Sequence, residues 1–517
     1  MEDLASLIYL IQNSKFKTSG LLNVLLEPGS QLRRLYDVLA ANPSPTQTEL
    51  RALMPEAVKN PAVLHTLKSR LKDRLLDATL FLDLDESSFA DRQSAFMECA
   101  KKWSIAIVLM SKNSRSSAIH LLENLLRHTI RFEFTEITIN ILRTLRLYYG
   151  TILGNPVRFD EMGAQIKIFE SIWLAECKVE GLYADMIVRF VRSKSDKEAI
   201  QAKANEYFAE AKPLLDTYTT YKVQFFGRLI EIMIHDSRNN YQEVAALCDE
   251  AIVFFEQKDY QSAGALQVFY YYLLLCSLNL RQYEKCQSLA NKHQGLYEEG
   301  TFNWFKLYEL YFLVAMHAGN YEDAANICHD ITRHTEFESQ PAPITELWKI
   351  FEAYIHFLDL AGAAAVRKSP DKFKVAKFVN EIQVFSKDKK GMNIPMLVIQ
   401  FLFTLAEGKH EQLTDKVEML VKYRMRYLDH SAVRSNYFFR MLEQIPKSGF
   451  DHREATRKAG KYLEKLQSVP LEAANQNHEI EILPYEVLWN IAMTVLAKKK
   501  APGASKAFQN NPYTRLH

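Results

Sequence analysis

At 517 residues the chain is too long for one compact core and calls for several domains or one elongated array. Hydrophobic residues at 48% and charged residues at 24% argue against extensive disorder, and Lys+Arg 64 against Asp+Glu 62 leaves a net +2, which excludes a global field for nucleic acid or membrane. Gly at 17 and Pro at 16 are too sparse for the turns of a β-rich fold, so the expectation is an all-α protein with long helices and short loops.

The chain opens on the acidic Met1-Glu2-Asp3 and a short apolar run, Leu4 to Ile11, without the basic start or small-residue cleavage site of a secretory signal. No apolar stretch reaches the ~18–20 residues needed to cross a bilayer. The cysteines at 99, 177, 248, 276, 286 and 328 form no C-x-x-C pair, and most sit in apolar helical patterns as small hydrophobes. A cytoplasmic protein with reduced thiols and no membrane association is expected.

Residues 1–86 read as a small helical region. Thr46-x-x-Glu49 has the form of a capping box, and Leu64, Leu67, Leu71, Leu75 and Ala78 recur at three- and four-residue steps along one helix face. Three helices within 31–82, the last carrying Lys68, Arg70, Lys72 and Arg74, faintly resemble a helix-turn-helix reader of DNA. The connection Met54–Asn60 is longer than the usual turn, and the four basic residues fall on two sides of the helix beside Asp73 and Asp77. A transcriptional regulator with a repeat-type sensor is therefore the alternative reading. Asp83-Leu84-Asp85-Glu86 lacks the ligand alternation of a cation loop and reads as a solvated linker.

Residues 87–497 read as one helical array. In Ser88–Met110 the face Phe96, Cys99, Ala100, Trp103, Ile107, Met110 keeps helical spacing, and Thr135–Ile141 continues helically through Leu145 to Tyr148 and Tyr149. Ser195-x-x-Glu198 forms a second capping box, and Ser369-Pro370 marks another helix start. Breaks fall at Asn42 to Pro45, Gly150 to Pro156, Gln340 to Pro343, Lys390-Gly391 and Pro446 to Gly449. Pairs are drawn at 88–110 with 113–129, 345–361 with 371–386, 393–407 with 409–428, and 432–445 with 451–467, with a single closing helix at Pro484–Lys498.

Three segments share one turn: Asn239-Asn240-Tyr241-Gln242-Glu243-Val244, Arg281-Gln282-Tyr283-Glu284-Lys285-Cys286 and Gly319-Asn320-Tyr321-Glu322-Asp323-Ala324. A small or polar residue ends one helix, Tyr packs back across the pair, and an acid suits the N-terminal dipole of the next. The third segment is similar to the inter-helix turn of tetratricopeptide repeats. Ala406-Glu407-Gly408-Lys409-His410-Glu411 is a worn copy. The spacing is longer than that family's ~34 residues, and Phe312 stands where it has a small residue, so irregular repeats are expected. The resemblance implies an α-solenoid of antiparallel helix pairs that binds partner proteins or peptides and carries no catalysis.

Motifs for phosphate, dinucleotide, zinc-protease and hydrolase chemistry are absent from the sequence. His120 and His128 lie too far apart for one metal, and His329 and His334 point to different faces. No catalytic residue, cofactor or metal is expected, and the oligomeric state is open. Within Phe269-Tyr270-Tyr271-Tyr272 the run circles the helix, so Tyr271 or Tyr272 should face outward as a partner contact, although aromatics at helical spacing more often fill a core. Lys422, Arg424, Arg426, Arg434 and Arg440, interleaved with Tyr423, Tyr427 and Tyr437, form the densest basic–aromatic stretch. It suits an acidic peptide tail, unless it is a solvated face balanced by Asp415, Glu418 and Asp429. Residues 498–517, basic, without acids and poor in large apolar side chains, read as a flexible tail.

Overall fold

The computed structural model describes residues 2–13, 20–42, 45–46, 50, 61–81, 91–192, 197–363, 393–427, 433–469 and 481–498. Among the described residues every regular element is a helix. The expected second helix at 371–386, the start at Ser369-Pro370, Glu49 and Ser195 of the two capping boxes, the Met54–Asn60 connection, the 83–86 linker and the tail beyond Lys498 lie outside them. Two compact units divide the chain, Met1–Ser171 and Ile172–His517.

In the first unit, helices α1 (Glu2–Asn13), α2 (Leu21–Leu25), α3 (Gln31–Ala41) and α4 (Pro61–Thr79) enclose a core of their own. The face expected on α4 is the one used: Leu67, Leu71, Leu75 and Ala78 are buried with Leu4, Ile8, Leu35 and Leu39. Helices α5 (Asp91–Ser111), α6 (Arg115–Arg131) and α7 (Thr135–Thr151) follow, α6 packing on both neighbours. The face read on α5 is only half buried. Cys99 and Ala106 are inside, whereas Phe96 and Ile107 stay exposed. Helix α8 (Pro156–Arg192) continues into the second unit.

The second unit strings together α9 (Lys197–Thr217), α10 (Tyr221–Asp236), α11 (Tyr241–Glu256), α12 (Ala263–Asn279), α13 (Tyr283–His293), α14 (Phe302–Ala318), α15 (Tyr321–Thr332) and α16 (Ala342–Ala361). Then come α17 (Asn393–Glu407), α18 (His410–Tyr427), α19 (Val433–Leu442), the short α20 (Gln444–Lys447), α21 (His452–Gln467) and α22 (Tyr485–Lys498). Successive helices from α9 to α16 pack on one another, and α12 and α14 also touch their second neighbours α14 and α16. That is the packing of a solenoid of helix pairs. Close approach depends on small residues. A Cβ at Gly227 of α10 would sit 2.2 Å from Leu215 of α9, and Ala324 of α15 is fully buried.

One turn is repeated along the chain. Asn113, Glu133, Asn239, Arg281, Gly319 and Gly408 all take left-handed backbone angles between two helices. Each time the next residue's N–H reaches back five residues: Ser114 to Leu109 O (2.9 Å), Phe134 to Thr129 O (2.8 Å), Asn240 to His235 O (3.0 Å), Gln282 to Ser277 O (2.9 Å), Asn320 to Ala315 O (2.9 Å) and Lys409 to Thr404 O (3.3 Å). This closes the carbonyls left open at a helix end. The tyrosines of the three quoted segments are the first residues of α11, α13 and α15. Tyr241 is buried, and Tyr283 and Tyr321 are half-buried against the core. Phe312 is accommodated between pairs, its ring stacked on Phe351 of α16 at 4.2 Å and 5.8 Å from Trp348.

Helix α22 departs from nearest-neighbour stacking. It packs on α16, α17 and α21 together. Tyr485, Leu488, Trp489, Ile491, Ala492, Val495 and Leu496 are buried on nearly every side, as expected of a core helix.

Candidate functional site

Tyr271 and Tyr272 lie midway along α12 and both are half-buried, their rings 6.4 Å apart in an edge-to-face pair. Tyr271 packs against the core shared by α14 and α16, and Tyr272 against the core of α10 and α11. Their phenols are pushed above the ordinary value by burial, Tyr272 well above it, with Asp236 of α10 adding to the shift and Lys306 of α14 opposing that of Tyr271. Both side chains therefore keep part of their surface in water while burial disfavours the ionised phenol.

Lys306 and Glu309 of α14 both act on Tyr271, the lysine opposing the shift and the glutamate adding to it. Lys306 Nζ pairs with Glu309 Oε2, and the lysine side chain is 34% exposed against 6% for the glutamate. Burial raises the Glu309 pKa, and its Oε1 is enclosed without a hydrogen-bond partner. Asp236 and Tyr183 of α8 add to the upward shift of Tyr272. The result is a seam of phenols and charges across α8, α10, α12 and α14. Sequence reading passed over Lys306 and Glu309. Their signal was a Lys-x-x-Glu pair set into an otherwise apolar helix.

The basic–aromatic stretch is dispersed by the fold. Lys422 is exposed, 3.9 Å from Glu418. Arg424 donates through Nε to the buried Glu443 (3.1 Å), tying α18 to the end of α19. Arg426 is exposed. Arg440 lies exposed over Tyr462 of α21, 5.9 Å from the ring centre.

Arg434 is fully buried and turned inward. Its Nε and Nη2 donate to Glu481 (2.6 and 3.0 Å), Nη2 also to Glu486 (2.7 Å), and Nη1 to the carbonyls of Leu466 (3.1 Å) and Val469 (2.7 Å). Every donor is used within the chain, so Arg434 offers none to a partner from this position. The knot joins α19 to the start of α22. His317 of α14 adds to it by donating from Nε2 to the Glu481 carbonyl (2.6 Å).

Among the described residues no three His, Cys, Asp or Glu side chains converge as metal ligands, and no helix is long and apolar enough to cross a membrane. His120 meets Asn124 at 3.2 Å, and His329 meets Arg333 at 3.0 Å. Lys68 and Lys72 are half-buried on α4 while Arg70 and Arg74 are exposed. No protein-family model, curated protein or solved structure matches this chain.

Proposed function

We propose that this chain is a protein-binding scaffold of tetratricopeptide-like helix pairs, working in the cytoplasm, which takes a segment of a partner across the seam of Tyr271, Tyr272, Lys306 and Glu309 without covalent chemistry. The observation that carries the reading is the half-buried placement of Tyr271 and Tyr272 on α12, one ring packed against the core of α14 and α16 and the other against that of α10 and α11. Half-buried tyrosines give large contact area at low entropic cost, and Lys306, the more exposed member of its pair with Glu309, supplies a polar anchor for a backbone. The free thiols, five of the six buried, fit a reducing compartment.

The test is a benzophenone amino acid in place of Tyr272, with unchanged circular dichroism confirming that the labelled protein is folded. Photolysis in the native cytoplasm is expected to give a discrete protein adduct. The same label at the exposed Thr456 of α21 should not give that adduct. Identical adducts from both positions, or none from 272, would defeat the proposal.

A further inference from the structure

Among the described residues of the second unit, helix α21 is the most basic exposed element. It carries Arg453, Arg457, Lys458, Lys461 and Lys465 against Glu454 and Glu464. Glu454 answers Arg457 (2.6 Å) and Lys458 (3.5 Å). Arg453, Lys461 and Lys465 are exposed, and no ion pair engages them among the described residues. Ala455 and Ala459, fully buried, hold α21 against α19, and this packing brings Arg440 over the same Tyr462 ring as Lys461, at 5.9 and 4.9 Å from its centre. Two cations thus lie over one aromatic ring. Like charges held at this spacing cost stability unless an anion joins them.

Arg453, Arg457, Lys461 and Lys465 follow at four-residue steps, so they form a slowly drifting row with a rise of about 6 Å per step and about 18 Å overall. Alternate side chains of an extended peptide repeat at about 6.6 Å. Carboxylates at every second position therefore match the rise between neighbouring cations, while the row turns by about 40° around the helix at each step. We propose that this row, with Arg440, docks an acidic peptide segment of a partner protein. The chemistry favours peptide over nucleic acid. The row is short, and its one neighbouring ring, Tyr462, already has two cations over it and is poorly placed to stack a base. The surface is separate from the tyrosine seam and stands or falls without it.

The experiment uses the full-length protein and a fluorescein-labelled ten-residue peptide of alternating Glu and Gly, with its Gln–Gly counterpart as control, read by anisotropy at low and at physiological salt. The expected result is salt-sensitive binding of the Glu peptide alone, weakened about tenfold or more in Arg440→Gln/Lys461→Gln and in Arg453→Gln/Lys465→Gln. These positions are exposed, and unchanged circular dichroism confirms folding of each variant. Lys68→Gln/Arg70→Gln on α4 should bind like the wild type. No binding of the Glu peptide at 100-fold excess over protein, or equal affinity in the variants, overturns the proposal. So does tighter binding, through the same four residues, of oligo-dT or of vesicles containing phosphatidylserine.

Discussion

A guanidinium withdrawn from water needs an acceptor for each of its five N–H groups. Arg434 finds them in Glu481, Glu486 and the carbonyls of Leu466 and Val469. Nothing near residue 434 in sequence announces this, because the acceptors lie 32 to 52 residues further along and an arginine among basic neighbours reads as surface. Arg434→Met should cost about 3–5 kcal/mol, since it strands the buried Glu481, while Arg434→Met/Glu481→Met should recover most of the loss. Urea midpoints of the two variants check this, and equal losses would show that the pair is not coupled. His317 beside the knot behaves differently. Burial lowers its pKa to about 4, with Arg281 and Arg434 adding to the shift and Glu486 opposing it, and its Nδ1 is enclosed without a partner. The unfolded chain takes up this proton as pH falls through about 6.5 while the folded chain resists until about 4. The contribution is therefore complete above pH 6.5 and is lost between there and pH 4. His317→Gln, which keeps a donor for the Glu481 carbonyl, should flatten the fall in stability across that window by up to about 3 kcal/mol. Parallel wild-type and variant curves would refute it.

Between helices, the controlling feature is the left-handed residue that ends one and lets the next begin. The copies at 239, 281 and 319 were legible because each is followed by Tyr at the start of the next helix, with an acid within its first turn. Those at Asn113 and Glu133 went unread. The residues after them, Ser114-Arg115 and Phe134-Thr135, carry neither the tyrosine nor the same charge order, although the backbone geometry and the five-residue return bond are the same. Backbone geometry thus recurs more widely than the side-chain pattern that reveals it. Four of the six turns use a residue with a Cβ, at a cost of about 1 kcal/mol each relative to glycine. Arg281 is exposed at φ 58°, so Arg281→Gly should relieve that strain and raise stability by about 0.5–1 kcal/mol. A destabilised Arg281→Gly protein in thermal melts would mean that the arginine side chain contributes more than the turn geometry costs. Helix positions came through well from periodicity, as in α4 and α7. Buried faces came through less well, as Phe96 and Ile107 show, because which face is covered depends on neighbours distant in sequence.

In a simple array of repeats each unit touches only its neighbours, so damage to one stays local. Helix α22 breaks that rule. It contacts α16, α17 and α21, its first residues are bound into the Arg434 knot, and Lys498 donates to the Ala361 carbonyl at 3.0 Å across 137 residues of chain. The sequence shows α22 as an apolar helix near the end of the chain, and the closing position assigned to it there carries no hint of contact with α16. Long-range pairing of that kind leaves no local periodicity to read. The consequence is cooperativity over much of the second unit. Trp489 is fully buried at the middle of α22, and Trp489→Ala should cost about 3–5 kcal/mol. The loss should spread, with amide exchange accelerating in α16, α17 and α21 together while α1 to α4, which enclose a separate core, keep their wild-type rates. Acceleration limited to α22 and α21 would place this helix in an ordinary nearest-neighbour array. Simultaneous acceleration in α1 to α4 would mean that the two cores unfold as one.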